Sequence, residues 1–236
     1  MLPLTRHGLR EMVVGTILLA VLAIVLGYIY APLALIALPF WIWLLAFFRD
    51  PERRIPPRSD CMVSPADGTV SDIVELEQCE PLGGPAVRVG IFLSIFSVHI
   101  NRAPCDGKVI AIRYRKGKFI NALHHNQASE QNESNTLVLA NPADGRSIAI
   151  VKQIVGMIAR RIICPHRVGD NLRRGERIGM IKFGSRTELY IPKWLEPKIE
   201  VSVGQKVRGA CDIIATLGKP LPAAESQAAA QPTGEA

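Results

Sequence analysis

A stretch of 36 residues without a charged side chain, residues 13–48, constrains the fold of this chain more than any other feature. Its first part, residues 13–30, would span roughly 27 Å as a helix, about the thickness of the hydrocarbon core of a bilayer. Pro32 then breaks the helix, and a second apolar part follows over residues 33–48. The pattern predicts a membrane hairpin of two helices, preceded by a short N-terminus of residues 1–12.

Basic residues flank the apolar stretch on both sides and indicate its orientation. Two precede it and four follow it within ten residues: Arg6, Arg10, Arg49, Arg53, Arg54 and Arg58. Because basic flanks stay on the cytoplasmic side, both ends of the hairpin are expected there, with the following domain on the cytoplasmic face of the cell inner membrane. Two alternatives are a cleaved signal peptide, whose apolar core is only about 7 to 15 residues long, and a single long tilted span. The single span would place the arginines that follow the stretch on the far side.

Residues 49–218 predict a mainly β domain. Their apolar runs are short, rich in valine and isoleucine, and separated by turns about every ten residues. One helix is expected near Ala128–Asn132. Two segments, 168–175 and 203–210, align at a spacing of 35 residues, which is typical of the hairpins of a duplicated lipoyl-like barrel-sandwich or β-sandwich domain, although a generic hairpin produces similar letters. Residues 219–236 lack apolar periodicity and predict a disordered tail.

Charge and cysteine content narrow the class of protein. The chain has a formal net charge of +7 and five scattered cysteines without a C-x-x-C pair. This spacing argues against a disulfide framework or a zinc ribbon, and no H-E-x-x-H motif supports a metal site. The positive charge fits an anionic membrane surface, and no nucleic-acid partner is predicted.

Three short motifs contain residues that could carry chemistry. They are Ser64–Gly68, Phe92–Pro104 and Phe183–Arg186. Taken singly, each has an ordinary structural interpretation: a turn at Asp67, a core histidine at His99 and a β-bulge before Ser185. An aspartate, a histidine and a serine far apart in sequence can also form a catalytic triad, because a triad is defined by its geometry.

In combination, the motifs resemble the short membrane-anchored type of phosphatidylserine decarboxylase. The likeness covers nearly all of the chain except the tail, in five segments in family order: Phe47–Pro51, Pro65–Gly68, Phe96–Pro104, Ala128–Glu133 and Phe183–Ser185. One departure is Ser97, which stands where the short type usually has an aspartate.

The resemblance implies a self-processing enzyme whose covalent pyruvoyl cofactor is made from Ser185. In such proteins the serine oxygen attacks the carbonyl of the preceding residue, here Gly184, and forms an ester. β-Elimination then leaves dehydroalanine, which hydrolyses to the pyruvoyl group. Cleavage would give a β chain of residues 1–184 and an α chain of residues 185–236 that stay associated, and the resemblance also allows a homo-oligomer.

The family pattern assigns the base that activates Ser185 to His99, backed by Asp67. The pyruvoyl carbonyl would form a Schiff base with phosphatidylserine in the bilayer and accept the electrons released with carbon dioxide. His99 is also the candidate that protonates the α-carbon before phosphatidylethanolamine is released. Four basic residues are further candidates for lining the site or contacting the lipid: Arg102, His124, His125 and Arg186.

Two other functions are alternatives to the decarboxylase. A membrane-anchored serine hydrolase would use Asp67, His99 and Ser185 in one uncut chain, whereas the decarboxylase is cut at Ser185. A lipoyl-like carrier would present a modifiable lysine at the tip of a hairpin, whereas Lys206 lies within a turn but not at its tip and Lys182 directly precedes Phe183–Ser185. For the decarboxylase the hairpin is interpreted as a tether, so removing residues 1–48 is expected to spare self-cleavage and to impair turnover of a bilayer substrate.

Overall fold

The computed structural model of the protein describes residues 3–120, 125–157, 161–182 and 184–219. The elements in chain order are α1 (Leu9–Ile29), α2 (Ala37–Phe47), β1 (Cys61–Val63), β2 (Gly68–Cys79), β3 (Gly84–Leu93), β4 (Ile100–Arg102), β5 (Gly107–Arg115), α3 (His125–Gln131), β6 (Ser134–Ala140), β7 (Ser147–Val155), β8 (Ile162–Ile163), β9 (Asn171–Leu172), β10 (Arg177–Ile181), β11 (Ser185–Pro192), β12 (Pro197–Ile199), β13 (Lys206–Val207) and β14 (Ile213–Leu217). The predicted mainly β fold with an apolar helical segment at its N-terminus is confirmed. The predicted tail lies outside the described residues, apart from Lys219.

Helices α1 and α2 pack against each other in antiparallel directions. Trp41 Nε1 donates to Thr16 Oγ1 at 3.1 Å in the middle of the pair, and an isolated β-bridge between Leu4 and Arg49 closes its base. A 3₁₀ turn, Ala31–Ile36, connects the helices and carries the helix-breaking proline in its first turn. In the described part of the chain, one helical run is long and apolar enough to cross a membrane: Arg6–Ile29, in which an 18-residue window has a mean hydropathy of 2.7.

The β domain is built from two matching halves. Its large sheet has the strand order β13-β2-β3-β11-β7-β6-β5-β9, so each edge begins with a short strand followed by a long hairpin. The repeat seen in the sequence supplies both edges, because Gly169 N donates to Val109 O and Gly204 N donates to Val70 O, each at 2.8 Å. Two three-stranded sheets, β1-β14-β12 and β4-β10-β8, correspond in the same way. The predicted duplication is therefore confirmed.

A second apolar cluster, separate from the main core of the sheets, joins the base of the hairpin to the β domain. Its buried members come from α1, α2, β10 and the region of β4: Met12, Leu44, Phe47, Phe48, Val98, Ile100 and Met180. Burying a large apolar side chain contributes about 1.5–3 kcal/mol. The cluster therefore fixes the base of the hairpin against β4 and β10, the two strands that lead to the motifs singled out above.

Candidate active site

Ser185 begins β11, a central strand of the large sheet. It pairs with Leu93 of β3 on one side and with Val155 of β7 on the other, which fixes its backbone firmly. Its side chain is fully buried, and its Oγ atom has no hydrogen-bond partner among the described residues. Gly184 has a φ angle of +56°, a left-handed conformation that glycine adopts far more readily than other residues. The central strand thus ends at a fixed serine preceded by an unusual backbone bend.

His99 lies directly before β4 and is also fully buried. Its Nδ1 atom is 2.9 Å from the carbonyl oxygen of Ser97. Because a carbonyl oxygen only accepts hydrogen bonds, Nδ1 carries the proton of the neutral ring and Nε2 carries the lone pair. Nε2 has no partner among the described residues. The ring is thus held in the tautomer that can act as a base through Nε2.

Two links bring the His99 end of β4 to the Ser185 end of β11. Asn101 Nδ2 donates to Thr187 Oγ1 at 2.8 Å, and both residues are fully buried. The His99 carbonyl accepts from Ile181 N at 3.3 Å, and Ile181 packs in turn against Val155, the strand partner of Ser185. Asn101 follows His99 by two residues, and Thr187 follows Ser185 by two residues. Because side chains alternate along a strand, the His99 side chain lies on the same side as that of Asn101, and the Ser185 side chain lies on the same side as that of Thr187.

A chain of buried amides extends the first of these links. Gln153 Nε2 donates to Asn101 Oδ1 at 2.9 Å, and Asn135 Nδ2 donates to Gln153 Oε1 at 3.0 Å. The three amides lie on β4, β7 and β6, and each is at most 3% exposed. Satisfied polar networks of this kind specify a single arrangement of a core. The network therefore fixes the strand that follows His99 relative to the central strands.

Burial lowers the pKa of His99 to about 4. The hydrogen bond to Ser97 opposes this shift, while the nearby positive charge of Arg49 adds to it. The ring of Phe47 covers His99, with ring centroids 4.3 Å apart and an angle of 36° between the planes. The histidine is therefore neutral over the physiological pH range, as a general base must be.

The hairpin contacts the site at a second point, next to the Phe183–Ser185 motif. Lys182 Nζ lies 2.5 Å from Glu11 Oε1 at the start of α1, and its side chain is only 6% exposed. Together with Phe47, this ion pair places both helices against residues that flank the catalytic candidates. These contacts argue against the expectation that residues 1–48 act only as a tether.

Replacing Phe47 with alanine is expected to raise the pKa of His99 from about 4 toward its ordinary value of 6.5, because the ring that keeps water away is lost. The measurement is a pH titration of the His99 ring signals by NMR in detergent micelles. Phe47→Leu is the matched control, since leucine keeps most of the apolar cover. A folded Phe47→Ala protein whose His99 still titrates near pH 4 would contradict this account of the shift.

Asp67 does not share a hydrogen bond with His99 in the described structure. Its carboxylate accepts from Arg53 Nη2 at 2.8 and 2.9 Å and from Gly209 N at 2.8 Å. The duplication explains the second contact, because Asp106 holds the same place in the other half and accepts from Arg174 N at 2.7 Å. The pair with Arg53 is therefore the feature that distinguishes Asp67 from its structural counterpart.

Arg102 binds the segment that follows the hairpin. It donates to Asp50 Oδ1 at 2.7 Å and to the carbonyl oxygen of Gly175 at 3.0 Å, so its guanidinium group is already engaged by protein. Of the two neighbouring histidine candidates, His124 lies outside the described residues, as does the side chain of His125. Contacts of these three residues with substrate stay predictions.

Arg186 lies on the face of β11 opposite to Ser185, as alternation along the strand requires. It is fully buried and pairs with Asp72 Oδ1 at 2.6 Å and with Glu188 Oε1 at 2.8 Å. Burial alone would raise the pKa of Glu188, but the charges of Arg186 and Lys152 outweigh it and lower that pKa. The structure does not bring Arg186 to Ser185, and its predicted contact with substrate is untested.

Three features of the site were not predicted from the sequence: the Phe47 ring, the Ser97 carbonyl and the Asn101 amide. All three lie inside the segments that carry the family resemblance, Phe47–Pro51 and Phe96–Pro104. Their position inside these segments is the feature of the sequence that could have identified them. Their roles depend on which atoms face which neighbour, and this can be seen only in the folded chain.

Comparison with known proteins identifies the family of the chain. The sequence profile of the family described as phosphatidylserine decarboxylase matches residues 40–215. The chain is similar to a protein of Rhodopirellula baltica named phosphatidylserine decarboxylase proenzyme, with 44% identity over 91% of this chain and 88% of that protein. It is equally similar to a protein of the same name from Ruegeria pomeroyi, with 44% identity over 84% of this chain and 90% of the relative. A relative of that name from Cereibacter sphaeroides is 43% identical over 91% of this chain and 90% of its own length.

The matched region begins at the last turns of the hairpin, contains both His99 and Ser185, and ends within β14. It includes both halves of the duplicated domain and covers about three quarters of the sequence. The chain belongs to the phosphatidylserine decarboxylase family.

Proposed function

We propose that this protein is a self-processing phosphatidylserine decarboxylase, which cleaves its backbone between Gly184 and Ser185 and converts phosphatidylserine to phosphatidylethanolamine and carbon dioxide. One observation carries the proposal. The Ser185 hydroxyl and the Nε2 atom of His99 are both buried without a hydrogen-bond partner among the described residues, and Asn101 and Thr187 link the segments that follow them. Buried polar atoms in native proteins nearly always have partners, so an unpartnered hydroxyl and an unpartnered ring nitrogen on linked segments favour chemistry over packing.

The first step of processing uses groups of the chain alone. His99 Nε2 takes the proton of the Ser185 hydroxyl, and the oxygen attacks the carbonyl carbon of Gly184. The bond from that carbon to the Ser185 nitrogen breaks, the nitrogen takes the proton from His99 Nε2 and leaves as an amine, and an ester joins the two residues. The left-handed backbone of Gly184 supports this step, because it turns the peptide out of the regular strand.

The second step opens the ester and frees two chains. Loss of a proton from the Ser185 α-carbon expels the carboxylate of Gly184, which becomes the C-terminus of the β chain. The dehydroalanine left at position 185 takes up water and releases ammonia, so that the α chain begins with a pyruvoyl group. The buried position of Ser185 fits such a group, because no side chain of the described residues forms a hydrogen bond with its oxygen.

In the processed enzyme, the pyruvoyl carbonyl supplies the electron sink for loss of the substrate carboxylate. His99 is proposed to take a proton from the substrate ammonium group on Nε2 and to return it to the substrate α-carbon after carbon dioxide is lost, while the Ser97 carbonyl keeps the ring in place. Asp67 is proposed as a positioning residue. It holds the turn whose Pro65 carbonyl accepts from Arg102 N at 2.9 Å, and Arg102 lies on the strand that follows His99.

The bilayer is the proposed location of both the enzyme and its substrate. Helix α1 is long and apolar enough to cross a membrane, and arginines flank both ends of the hairpin. This pattern favours the inner membrane with the β domain on the cytoplasmic side. The serine hydrolase and the lipoyl-like carrier are not favoured, because the relatives carry the name of a decarboxylase proenzyme.

The decisive experiment for this proposal is an intact mass spectrum of the purified protein together with an assay of product lipid. Two chains that meet at Gly184 and Ser185 are expected, with the smaller chain lacking a free terminal amine. Vesicles containing phosphatidylserine should then accumulate phosphatidylethanolamine. One uncut chain that reacts with a serine-directed phosphonate would instead support the hydrolase.

A further inference from the structure

The turn immediately before His99 presents two apolar side chains to the outside of the protein. Ile95 is 37% exposed and Phe96 is 68% exposed. The turn itself is well held: Ser97 N donates to Ser94 O at 2.9 Å, and the hydroxyl groups of Ser94 and Ser97 are 3.2 Å apart. The two apolar side chains are therefore displayed by an ordered loop.

This turn lies beside the base of the hairpin. Arg49, the second residue after α2, donates from Nη2 to the carbonyl oxygen of Phe96 at 2.7 Å. Val98, on the other side of the turn, is buried in the cluster that joins the hairpin to the β domain. The turn is thus attached to the base of the hairpin through Arg49 and Val98.

The charges near this point complement an anionic lipid leaflet. Arg6 and Arg10 are exposed at the start of α1, and Arg54 is exposed shortly after α2. Exposed apolar side chains accompanied by exposed basic residues are typical of proteins that insert side chains into the boundary between headgroups and acyl chains. Water is a poor environment for Phe96, whereas this boundary is a favourable one.

We propose that Ile95 and Phe96 insert into the surface of an anionic bilayer next to the hairpin, so that the turn of residues 94–97 is a second membrane contact. This contact has a direct connection to the site, because the carbonyl oxygen of Ser97 holds the Nδ1 atom of His99. The turn thereby keeps the segment that leads to His99 at the depth of the lipid headgroups. Its effect on turnover rests on the proposed function, whereas the membrane contact itself does not.

The first test measures insertion and is independent of catalysis. Full-length Phe96→Trp is reconstituted in vesicles of phosphatidylcholine and phosphatidylserine, with and without brominated acyl chains, and its quenching is compared with that of the wild type. Val203→Trp is the matched control, because Val203 is 61% exposed but lies in the turn before β13. Extra quenching is expected for tryptophan at position 96 and not at position 203. Equal quenching at both positions would overturn the proposed contact.

The second test measures the consequence for turnover. Phe96→Ser is expected to lose about tenfold more kcat/KM on vesicle phosphatidylserine than on a monomeric short-chain phosphatidylserine. Val203→Ser should lose neither, and Phe96→Leu should recover most of the vesicle activity. Equal losses of Phe96→Ser on both substrates would overturn the role in lipid access. If the wild type decarboxylates neither substrate, the proposed function fails, and the quenching test still decides whether the turn contacts the membrane.

Discussion

Replacing Ser185 with alanine is expected to leave a single full-length chain that forms no phosphatidylethanolamine. Alanine lacks the oxygen that attacks Gly184, so neither the ester nor the pyruvoyl group can form, and activity should fall by at least about a thousandfold. The measurement is an intact mass spectrum of the variant together with release of labelled carbon dioxide from vesicles. The fold should be retained, because the Ser185 hydroxyl makes no hydrogen bond with the described residues.

Ser185→Cys is the matched control for this variant. Cysteine has nearly the volume of serine and keeps a nucleophile at the buried position, so slow chain cleavage is expected to persist. A Ser185→Ala protein that is cut between residues 184 and 185 and remains active would refute self-processing through this hydroxyl.

Replacing His99 with alanine is expected to slow self-cleavage by about a hundredfold to ten-thousandfold, the usual effect of a lost general base. Incubation with hydroxylamine, which cleaves esters, identifies the step affected. If His99 acts before the ester forms, the variant should stay uncut in hydroxylamine. His7→Ala is the control, because His7 is exposed near the start of the chain. Cleavage of the His99 variant at the wild-type rate would remove His99 as the base.

The low pKa of His99 predicts at which pH self-cleavage should slow down. The base is active in its neutral form, so the wild-type rate should be constant from about pH 8 to pH 5 and should fall as the pH drops through the folded-state pKa of about 4. The free energy of unfolding should depend on protonation of the same residue. Between pH 6.5 and 4, an unfolded chain binds a proton on His99 that the folded chain excludes, so on the order of 3 kcal/mol of stability is lost as the pH falls through this window. A rate that instead halves near pH 6.5 would indicate an exposed histidine.

The sequence predicted the duplicated β domain well, because its two segments 168–175 and 203–210 repeat both the letters and the turn chemistry. It also singled out His99 and Ser185, whose buried atoms meet the chemical requirement for a base and a nucleophile. The group that orients the His99 ring was harder to predict. The family pattern suggested Asp67, whereas a backbone carbonyl holds the ring. Because every residue has a carbonyl group, the sequence does not indicate which one does so.

That carbonyl also accounts for the departure at Ser97. The contact with His99 uses the backbone of Ser97, while its side chain lies beside Ser94 within the turn. A residue without a carboxylate can therefore orient the histidine from this position. The role of Phe47 was missed for a different reason: an aromatic residue at the end of an apolar helix looks like part of the membrane segment until its neighbour is known.

Because β11 is a central strand, the two chains of the cleaved protein would share one sheet. After a cut before Ser185, the α chain would contribute β11 between β3 and β7, β13 beside β2 and β14 beside β1. These strands are interleaved with strands of the β chain, so the two pieces can separate only by unfolding. Folding would be a first-order reaction of one polypeptide before the cut and a second-order assembly of two polypeptides after it. Denaturation of the mature enzyme should then be hard to reverse, and its lifetime would be set by the rate of unfolding.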